Sequence, residues 1–425
     1  MNHAVRHATT VLVVIVTCGT MIVATFGEYA LGVLGPTFDR ELGISTSMIG
    51  VLTAIMFGTA GVFSFFIGPM VDRLHPAKLS FWLIVLSGVA LVSFYFVGSE
   101  SGLIFTCVLL GALASLCTPL TNKLVSAYLP PSAHATAISW KSLGPQLGAL
   151  FAGLAFGGMA ELFDWRKIII TLAIVMVLFG IYCWVSLRNC ESYRAPVAGI
   201  ESPGGQHRLA EGIIEEEKRT EPIVWWLIAW SFFFGGAISS VGAYIPAYAD
   251  RAMDMPLALA GAAGGLIAGI SVLARFVWVY FLRFTDFVTV LVLAGFSSAL
   301  ATVLLAMAPS LGPGAFWLAI VLVGATALGV SPVVAIVLVG ATNPRQIGFI
   351  SAMNGVGVYA GFTFQPLVIG YIMDNYDFAL SWYFMAASAF VAALVIVAYA
   401  LVHGKPRGPY LSRASRSSRA PARTR

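Results

Sequence analysis

The 425-residue chain contains 59% hydrophobic and only 10% charged residues, whereas a soluble domain carries about 25% charged residues. Together with a mean hydropathy of +0.89, this composition excludes a soluble globular protein, because no such fold could cover so much apolar surface. The net charge of +5 and the pI of about 9.0 are explained by where the basic residues lie along the chain.

Apolar runs separated by short polar breaks follow one another along the whole chain. A bilayer core of about 30 Å requires roughly 20 apolar residues per helix, so the chain has room for about twelve spans. Long runs of Ala, Val, Leu and Ile with 43 Gly residues favour packed helices over a membrane barrel. We predict an all-α membrane protein with spans at 10–36, 47–69, 78–98, 102–129, 133–160, 166–187, 223–249, 256–282, 287–308, 313–340, 346–372 and 379–402.

The first apolar run begins at Val11 after basic residues and by itself resembles a signal peptide. Its removal would leave an odd number of spans, so we interpret it as the first membrane helix. One long polar stretch, 188–222, then divides the chain into two groups of six spans. We predict an N-terminal six-helix bundle at 1–190, a cytoplasmic central loop at 191–222, a C-terminal six-helix bundle at 223–403 and a disordered basic cytoplasmic tail at 404–425.

The basic residues indicate the orientation. Most of the 24 Lys and Arg residues lie on the side of the termini and the central loop, and the opposite side has only Arg40, Arg166, Lys167 and Arg251. Because cytoplasmic loops are enriched in Lys and Arg, we predict an inner-membrane protein with both termini in the cytoplasm. The high pI therefore reflects topology and requires no nucleic-acid partner.

The segment Gly68-Pro69-Met70-Val71-Asp72-Arg73, followed by Lys78, stands between the second and third predicted spans. An ordinary charged turn is one interpretation. Its position and spacing resemble the loop signature of the major facilitator superfamily, Gly-x-x-x-Asp-Arg, although His75-Pro76 departs from the family pattern. Residues 283–286, Arg-Phe-Thr-Asp, form a degenerate copy after the eighth span. The resemblance implies two helix bundles around a central cavity, with alternating access, and a cytoplasmic gating motif formed by Gly68, Asp72 and Arg73.

Three further segments resemble bacterial anion carriers of the cyanate-permease and monocarboxylate-carrier type. They are residues 122–123, 141–148 and 274–278. Oxalate/formate-type carriers pair the arginine of the eighth helix with a lysine in the eleventh, where this chain has only Asn354 and Gln365. The resemblance implies that the substrate is bound by Asn122, Lys123, Lys141, Gln146, Arg275 and Trp278.

Ionisable residues within the predicted spans are few. Each is expected to serve a function or to have a stabilising partner, because inserting a charge at the centre of the bilayer costs at least about 2.5–3.5 kcal/mol. Three cations, Lys123, Lys141 and Arg275, stand against one acid, Glu28. If these residues line the cavity, it is net positive and suits an anion.

Arg275 lies roughly 12 Å from the predicted cytoplasmic end of its helix, which is too deep for easy snorkelling. Its guanidinium can hold a carboxylate through two parallel hydrogen bonds, and Ser271 and Trp278 share its face. A structural bond to Glu28 or to a helix carbonyl is the alternative.

Lys141 shares a face with small residues that point away from lipid. For Lys123, snorkelling is as compatible with the sequence as a role in function.

Glu28 shares its face with Thr25, Gly32 and Gly35, which indicates an inward-facing surface. We predict that it carries the coupled proton, because a buried carboxyl group can exchange a proton as its surroundings change. The alternative is a fixed counter-ion for Arg275 or Lys141.

These features predict a monomeric secondary transporter of a small, monocarboxylate-like organic anion, driven by protons and without a cofactor. The alternative is a proton-driven antiporter that exports drugs or metabolites, because residues 144–148 resemble the Gly-Pro-x-x-Gly core of an antiporter motif, with Trp140 and Ala149 in place of its outer glycines. A receptor is a third interpretation, but the chain has no folded soluble domain through which to signal. The six His residues lie outside the spans and there is no Walker motif, so we predict neither an enzyme nor a metal site.

Overall fold

The computed structural model describes residues 3–96, 99–129, 131–158, 163–191, 220–342 and 347–404. In these ranges the chain is helical apart from short connections and includes no β-strand. The described residues include eleven helical segments that are long and apolar enough to cross a membrane, one of which, Pro313–Leu338, is not a single regular α-helix. The predicted all-α membrane fold is therefore confirmed. Most of the predicted central loop and tail, residues 192–219 and 405–425, lies outside the described residues.

Each half of the chain forms one set of membrane helices. The first half comprises α1 (His3–Leu42), α2 (Thr46–Arg73), α3 (Pro76–Ser93, extended by a 3-10 turn at Phe94–Phe96), α4 (Glu100–Tyr128), α5 (Pro131–Lys141), α6 (Gly144–Ala152, extended by a π-helical segment at Gly153–Gly158) and α7 (Trp165–Glu191). The second half comprises α8 (Ile223–Met253), α9 (Leu257–Phe281), α10 (Phe287–Leu311), α11 (Pro313–Val323, extended by a π-helical segment at Gly324–Leu328), α12 (Ser331–Ala341), α13 (Ile347–Asn375) and α14 (Phe378–His403).

The predicted fifth span is interrupted between α5 and α6. Pro145 lies in the first turn of α6, where its missing N–H costs nothing, but it cannot continue a helix that arrives from α5. The regular backbone pattern resumes with a 3.0 Å hydrogen bond from the Leu147 N–H to the Leu143 carbonyl. In a continuous helix the Ser142 carbonyl would accept from the Gln146 N–H, and at the break it is released from that bond.

Two ends of the bundle are distinguished by their connections. We call the end that contains residues 42–46 the distal end, and the end that contains residues 73–76 the motif end. The Gly68–Arg73 motif was expected in a loop, but its backbone forms the last turns of α2. The second copy of the motif does end at a helix boundary, because the Asp286 carboxylate caps α10 by accepting a 2.9 Å hydrogen bond from the Thr289 N–H.

Ion pairs join the two halves at the distal end. Arg40 pairs with Asp250, and Arg251 pairs with Asp39. The Asp374 carboxylate also accepts a 2.8 Å hydrogen bond from a backbone N–H at the start of α2. The two halves are therefore connected by charged contacts at this end.

Two seams of close packing run between the halves nearer the middle. At the first, the π-helical segment after α6 lies against α9, and a Cβ atom at Gly157 would stand only 2.6 Å from the Cα atom of Gly261. Only glycine permits this approach. At the second, α2 meets α13, where the rings of Phe57 and Phe362 pack edge to face with centroids 4.6 Å apart.

Candidate functional site

A small central cavity lies between the halves. Helices of both halves line it: α1 supplies Glu28 and Tyr29, α8 supplies Ser239, and α13 supplies Phe362. Its other lining residues are apolar or small, namely Val33, Ala149, Val241, Gly242, Pro246, Gly264, Ile267, Ala268 and Leu328. Among the described residues that line this cavity, Glu28 alone carries a charge.

Glu28 is half-buried and forms no hydrogen bond or ion pair with any residue in the described ranges. Neither of the two cations considered as its counter-ion, Arg275 and Lys141, pairs with it. Tyr29, the next residue on α1, lines the same cavity. The geometry leaves the Glu28 carboxyl group available to the cavity.

Arg275 bridges the two halves at the break between α5 and α6. Its side chain is only 8% exposed and lies roughly 9 Å from the end of α9 at 1.5 Å per residue. Its Nη1 donates a 2.7 Å hydrogen bond to the carbonyl of Ser142, while its Nε is buried without a partner in the described chain. Of the two structural alternatives, the structure shows a bond to a helix carbonyl and none to Glu28.

Lys141 stands beside the same break but points towards α4. It is 3% exposed, and its Nζ donates to the Thr121 hydroxyl at 2.8 Å and to the Asn122 side-chain oxygen at 2.6 Å. The structure therefore brings the predicted residues Lys141 and Asn122 together. Thr121 was missed by the sequence analysis, although its position directly before Asn122 was a usable signal. No carboxylate of the described chain pairs with this ammonium.

Gln146 lies on α6, one helical turn beyond Ser142. Its side chain is 7% exposed, and its Oε1 is buried without a hydrogen-bond partner among the described residues. It follows that Gln146, Arg275 and Lys141 are grouped around one helix break rather than around the cavity that Glu28 lines.

Lys123 and Trp278 lie apart from this group. The Nζ of Lys123 donates to the carbonyls of Val71 and Leu74, both at 2.8 Å, and so holds the C-terminal end of α2. The indole N–H of Trp278 donates to the Ala325 carbonyl at 2.8 Å, in the π-helical segment that follows α11. Both contacts are structural in this conformation.

The predicted gating residues Gly68, Asp72 and Arg73 have helical backbone at the end of α2. Their side chains lie outside the described part of the structure. Lys123 is bonded to the same end of the helix, so the motif and α4 are tied together at the motif end.

A second and larger cavity lies within the second half between α8, α12 and α13. All of its lining residues are uncharged, and they include Trp230, Ser231 and Asn354, with a 2.9 Å hydrogen bond from the Ser231 hydroxyl to Asn354. Phe362 lines both cavities and so separates them. Gln365, also on α13, instead donates to the Phe233 carbonyl at 2.8 Å.

The sequence also matches a family model, that of the Major Facilitator Superfamily, over residues 17–339. The chain belongs to the Major Facilitator Superfamily. The superfamily predicted from the Gly68–Arg73 motif is thereby confirmed, and its described helices make the chain a multi-pass membrane protein.

Two similar proteins match part of this chain, and the name of only one of them states a substrate. The Hexuronate transporter of Bacillus subtilis (strain 168) is 24% identical over 185 residues, which cover 42% of this chain and 43% of that protein. The Uncharacterized transporter YybO of the same organism is 20% identical over 176 residues, 41% of this chain and 40% of that protein. The chain thus matches less than half the length of either relative.

Solved structures share the fold of this superfamily member. A peptide transporter POT in complex with sulfate has a TM-score of 0.72 at 14% identity, covering 92% of this chain and 95% of that one. The xylose transporter XylE from E. coli in an inward open conformation has a TM-score of 0.70 at 15% identity, covering 91% and 96%. At such identities the likeness concerns the fold alone.

Proposed function

We propose that this protein is a secondary active transporter that moves a small, monocarboxylate-like organic anion across the membrane by alternating access. The observation that carries the proposal is the pair of buried cations, Lys141 and Arg275, at one helix break. Their described hydrogen-bond partners are all neutral. Because a desolvated charge is costly without a counter-charge, an anionic substrate would supply what the described protein lacks there.

The partial similarity to a hexuronate transporter supports an anionic substrate, because a hexuronate is a sugar that carries a carboxylate. In this proposal Arg275 is the principal anion anchor, helped by Lys141, Asn122 and Gln146. Trp278 and Lys123 support the site through the helices they hold. The protein acts as a monomer in the inner membrane, with the motif end and both termini in the cytoplasm, where Gly68, Asp72 and Arg73 gate transport.

Coupling to protons is assigned to Glu28. It faces a cavity shared by both halves and has no cation partner among the described residues. A carboxyl group in this position can take up a proton when the cavity opens to one side and release it on the other.

A second candidate function rests on the same residue. Because Glu28 is the one charged side chain found in the lining of the central cavity as described, that cavity by itself suits a neutral or cationic compound. The protein would then be a proton-driven antiporter that exports drugs or metabolites.

Transport by purified protein in proteoliposomes tests the two candidates. Radiolabelled monocarboxylates, hexuronates and cyanate are offered with a proton gradient, without a gradient and with the gradient collapsed by an ionophore. The anion proposal expects gradient-dependent accumulation of at least one carboxylate. Accumulation of none of these anions, together with proton-driven efflux of a cationic dye, would favour the antiporter.

A further inference from the structure

The second cavity lies within one half of the protein, and all of its described lining residues are uncharged. It extends along about three turns of α13, from Ser351 to Phe362. Ser351, close to the motif end, is exposed, so a small molecule can enter from that side. The anion site proposed for Lys141 and Arg275 uses none of these lining residues.

Two stacked aromatic rings form part of the cavity wall. Trp230 and Phe234 lie one turn apart on α8, with ring centroids 4.2 Å apart and ring planes inclined by 21°. Both residues line the cavity. Aromatic pairs in offset or edge-to-face arrangements contribute about 0.5–1.5 kcal/mol beyond the burial of their area. This wall therefore favours a ligand with a planar ring.

The wall also contains two hydrogen-bond donors without acceptors. Trp230 is 3% exposed, and its indole Nε1–H, which can only donate, is buried without a partner in the described chain. The Oδ1 of Asn354 accepts a 2.9 Å hydrogen bond from the Ser231 hydroxyl, which orients the amide, while its Nδ2 donates to no described residue. Buried polar groups normally have partners, so these donors are complementary to an acceptor that a ligand brings.

The uncharged lining selects against ionised ligands. Moving a carboxylate or an ammonium group from water into a site without a counter-charge is costly, whereas a carbonyl oxygen accepts a hydrogen bond without carrying a charge. A carbonyl group conjugated to an aromatic ring is also planar, as the stacked wall requires. An aromatic amide combines these properties in one small molecule.

The geometry points to the second cavity as a binding site for small, neutral, planar compounds that carry a hydrogen-bond acceptor, such as aromatic amides. The ring packs against Trp230 and Phe234, and the carbonyl oxygen accepts from the Asn354 amide, with the Trp230 indole as a second donor. Phe362 lines the same cavity and packs against Phe57 of the other half, so a bound ligand also restrains the contact between α2 and α13. This site is separate from the proposed anion site.

The binding test requires a readout inside the cavity, because charged probes can also bind elsewhere in the protein. Ser331 is exposed and lines the cavity, so Ser331→Cys is alkylated with a maleimide in the full-length protein in nanodiscs, after Cys18 and Cys190 are replaced by serine. Ser310→Cys, exposed and outside the cavity, is the control and should be alkylated at the same rate with and without ligand.

Three probes of similar size separate charge from shape: benzamide, benzoate and benzylamine, which is protonated at pH 7. We expect benzamide to protect Ser331→Cys at a concentration at least about tenfold lower than either charged probe, because an ionised group finds no counter-charge among the described lining residues. A smaller ratio, or no protection by benzamide, overturns the inference. Either result leaves anion transport standing, because the proteoliposome panel tests it separately.

A change of charge at Asn354 then assigns the preference to this residue. Asn354→Asp keeps an acceptor for the Ser231 hydroxyl but replaces the free amide donor by a carboxylate, so benzylamine should protect at a lower concentration than benzamide. Asn375→Asp places the same charge at the distal end of the same helix, outside the cavity, and should retain the preference for benzamide. An unchanged preference for benzamide in Asn354→Asp would overturn the assigned contact and with it the inference.

Discussion

The guanidinium of Arg275 and the backbone carbonyl of Ser142 form a 2.7 Å hydrogen bond across the interface between the two halves. The carbonyl is available because the helix breaks there, and the guanidinium belongs to the opposite half. Any motion that separates α9 from the break must therefore release this bond. A substrate carboxylate that replaces the carbonyl would remove that cost, so one side chain can link binding to the motion of the halves.

Arg275→Ala should reduce the affinity for the transported carboxylate at least thirtyfold. Losing one partner of a desolvated charge pair typically costs about 2–5 kcal/mol, and each 1.4 kcal/mol is tenfold. Arg275→Lys keeps the charge but loses the two-pronged geometry, so only partial recovery is expected. Lys141→Ala should do less harm, because its ammonium is a single point charge. The measurement is scintillation-proximity binding to purified protein. Unchanged affinity in a folded Arg275→Ala protein would rule out the anchor role.

Glu28→Gln should abolish proton-driven accumulation of substrate but leave substrate exchange intact. A glutamine keeps the size and polarity of the side chain at the cavity but cannot carry a proton, so exchange of substrate between two loaded compartments should persist. Accumulation driven by a pH gradient should fall to the background of protein-free liposomes. Both are measured with the same proteoliposome preparation. If Glu28→Gln still concentrates substrate against its gradient, the proton passes elsewhere or another ion drives transport.

Lys123→Ala should lower stability without weakening substrate binding. Its ammonium holds two carbonyls at the end of α2, and hydrogen bonds to charged groups contribute about 1.5–3 kcal/mol. The control is Lys78→Ala, which removes the same charge from an exposed side chain at the motif end. Differential scanning fluorimetry should show a lower melting temperature for Lys123→Ala only. A loss of substrate affinity with unchanged melting would instead identify Lys123 as a binding residue.

Asp250→Asn should shift the protein towards conformations that are open at the distal end. The Arg40 side chain is 58% exposed and that of Asp250 is 10% exposed. Because water screens the exposed partner, the pair stabilises the closed distal end by at most about 1 kcal/mol, which corresponds to about a fivefold change in the ratio of closed to open protein. Spin labels at Ser101→Cys and Ser310→Cys, one in each half, report the distance across this end after the partly exposed Cys18 and Cys190 are replaced by serine.

The exchanged pair Arg40→Asp with Asp250→Arg is the matched control for this charge loss. It restores an attraction between the same two positions and should return the distance distribution towards that of the unaltered protein. Identical distributions in all three proteins would show that the pair does not influence the equilibrium.

Gly261→Ala should impair both folding and transport. A Cβ atom at Gly261 would lie 2.4 Å from the Cα atom of Gly157, so two backbones would have to separate. Overpacking of this kind costs typically about 1–3 kcal/mol. Gly314→Ala adds the same methyl group where nothing lies within 4 Å and serves as the control. Melting temperature and initial uptake rate are measured for both, and equal behaviour of the two variants would contradict the close contact.

Much of the fold could be predicted because membrane spans are encoded locally. Lipid requires about 20 apolar residues per helix, and this length is visible in the sequence. The break in the fifth span was not predicted, although Pro145 was in view, because apolar character continues on both sides of it. The prediction that the Gly68–Arg73 motif lies in a loop was also wrong, in this case because polar character begins before the helix ends. Its charged residues indicate a loop, while the backbone stays helical to Arg73.

The candidate site could be predicted only in part. Sequence spacing places a residue on a helix face, but its partners depend on how neighbouring helices are rotated and crossed. Lys141 and Asn122 were grouped by resemblance and do meet. That Lys123, adjacent to Asn122, would instead turn towards α2 could not be derived, because a difference of 100° around the helix sends two neighbouring side chains to different elements.

The two seams between the halves differ in the rearrangement that a relative movement of the halves would require. Where Gly157 meets Gly261, the two helices touch through main-chain atoms, with the Val33 side chain beside them, and no large side chain lies between the two backbones. Where Phe57 meets Phe362, two rings must slide past each other, and the second of them also separates the two cavities. The glycine seam therefore suits a pivot, whereas a movement at the aromatic seam requires the two rings to repack.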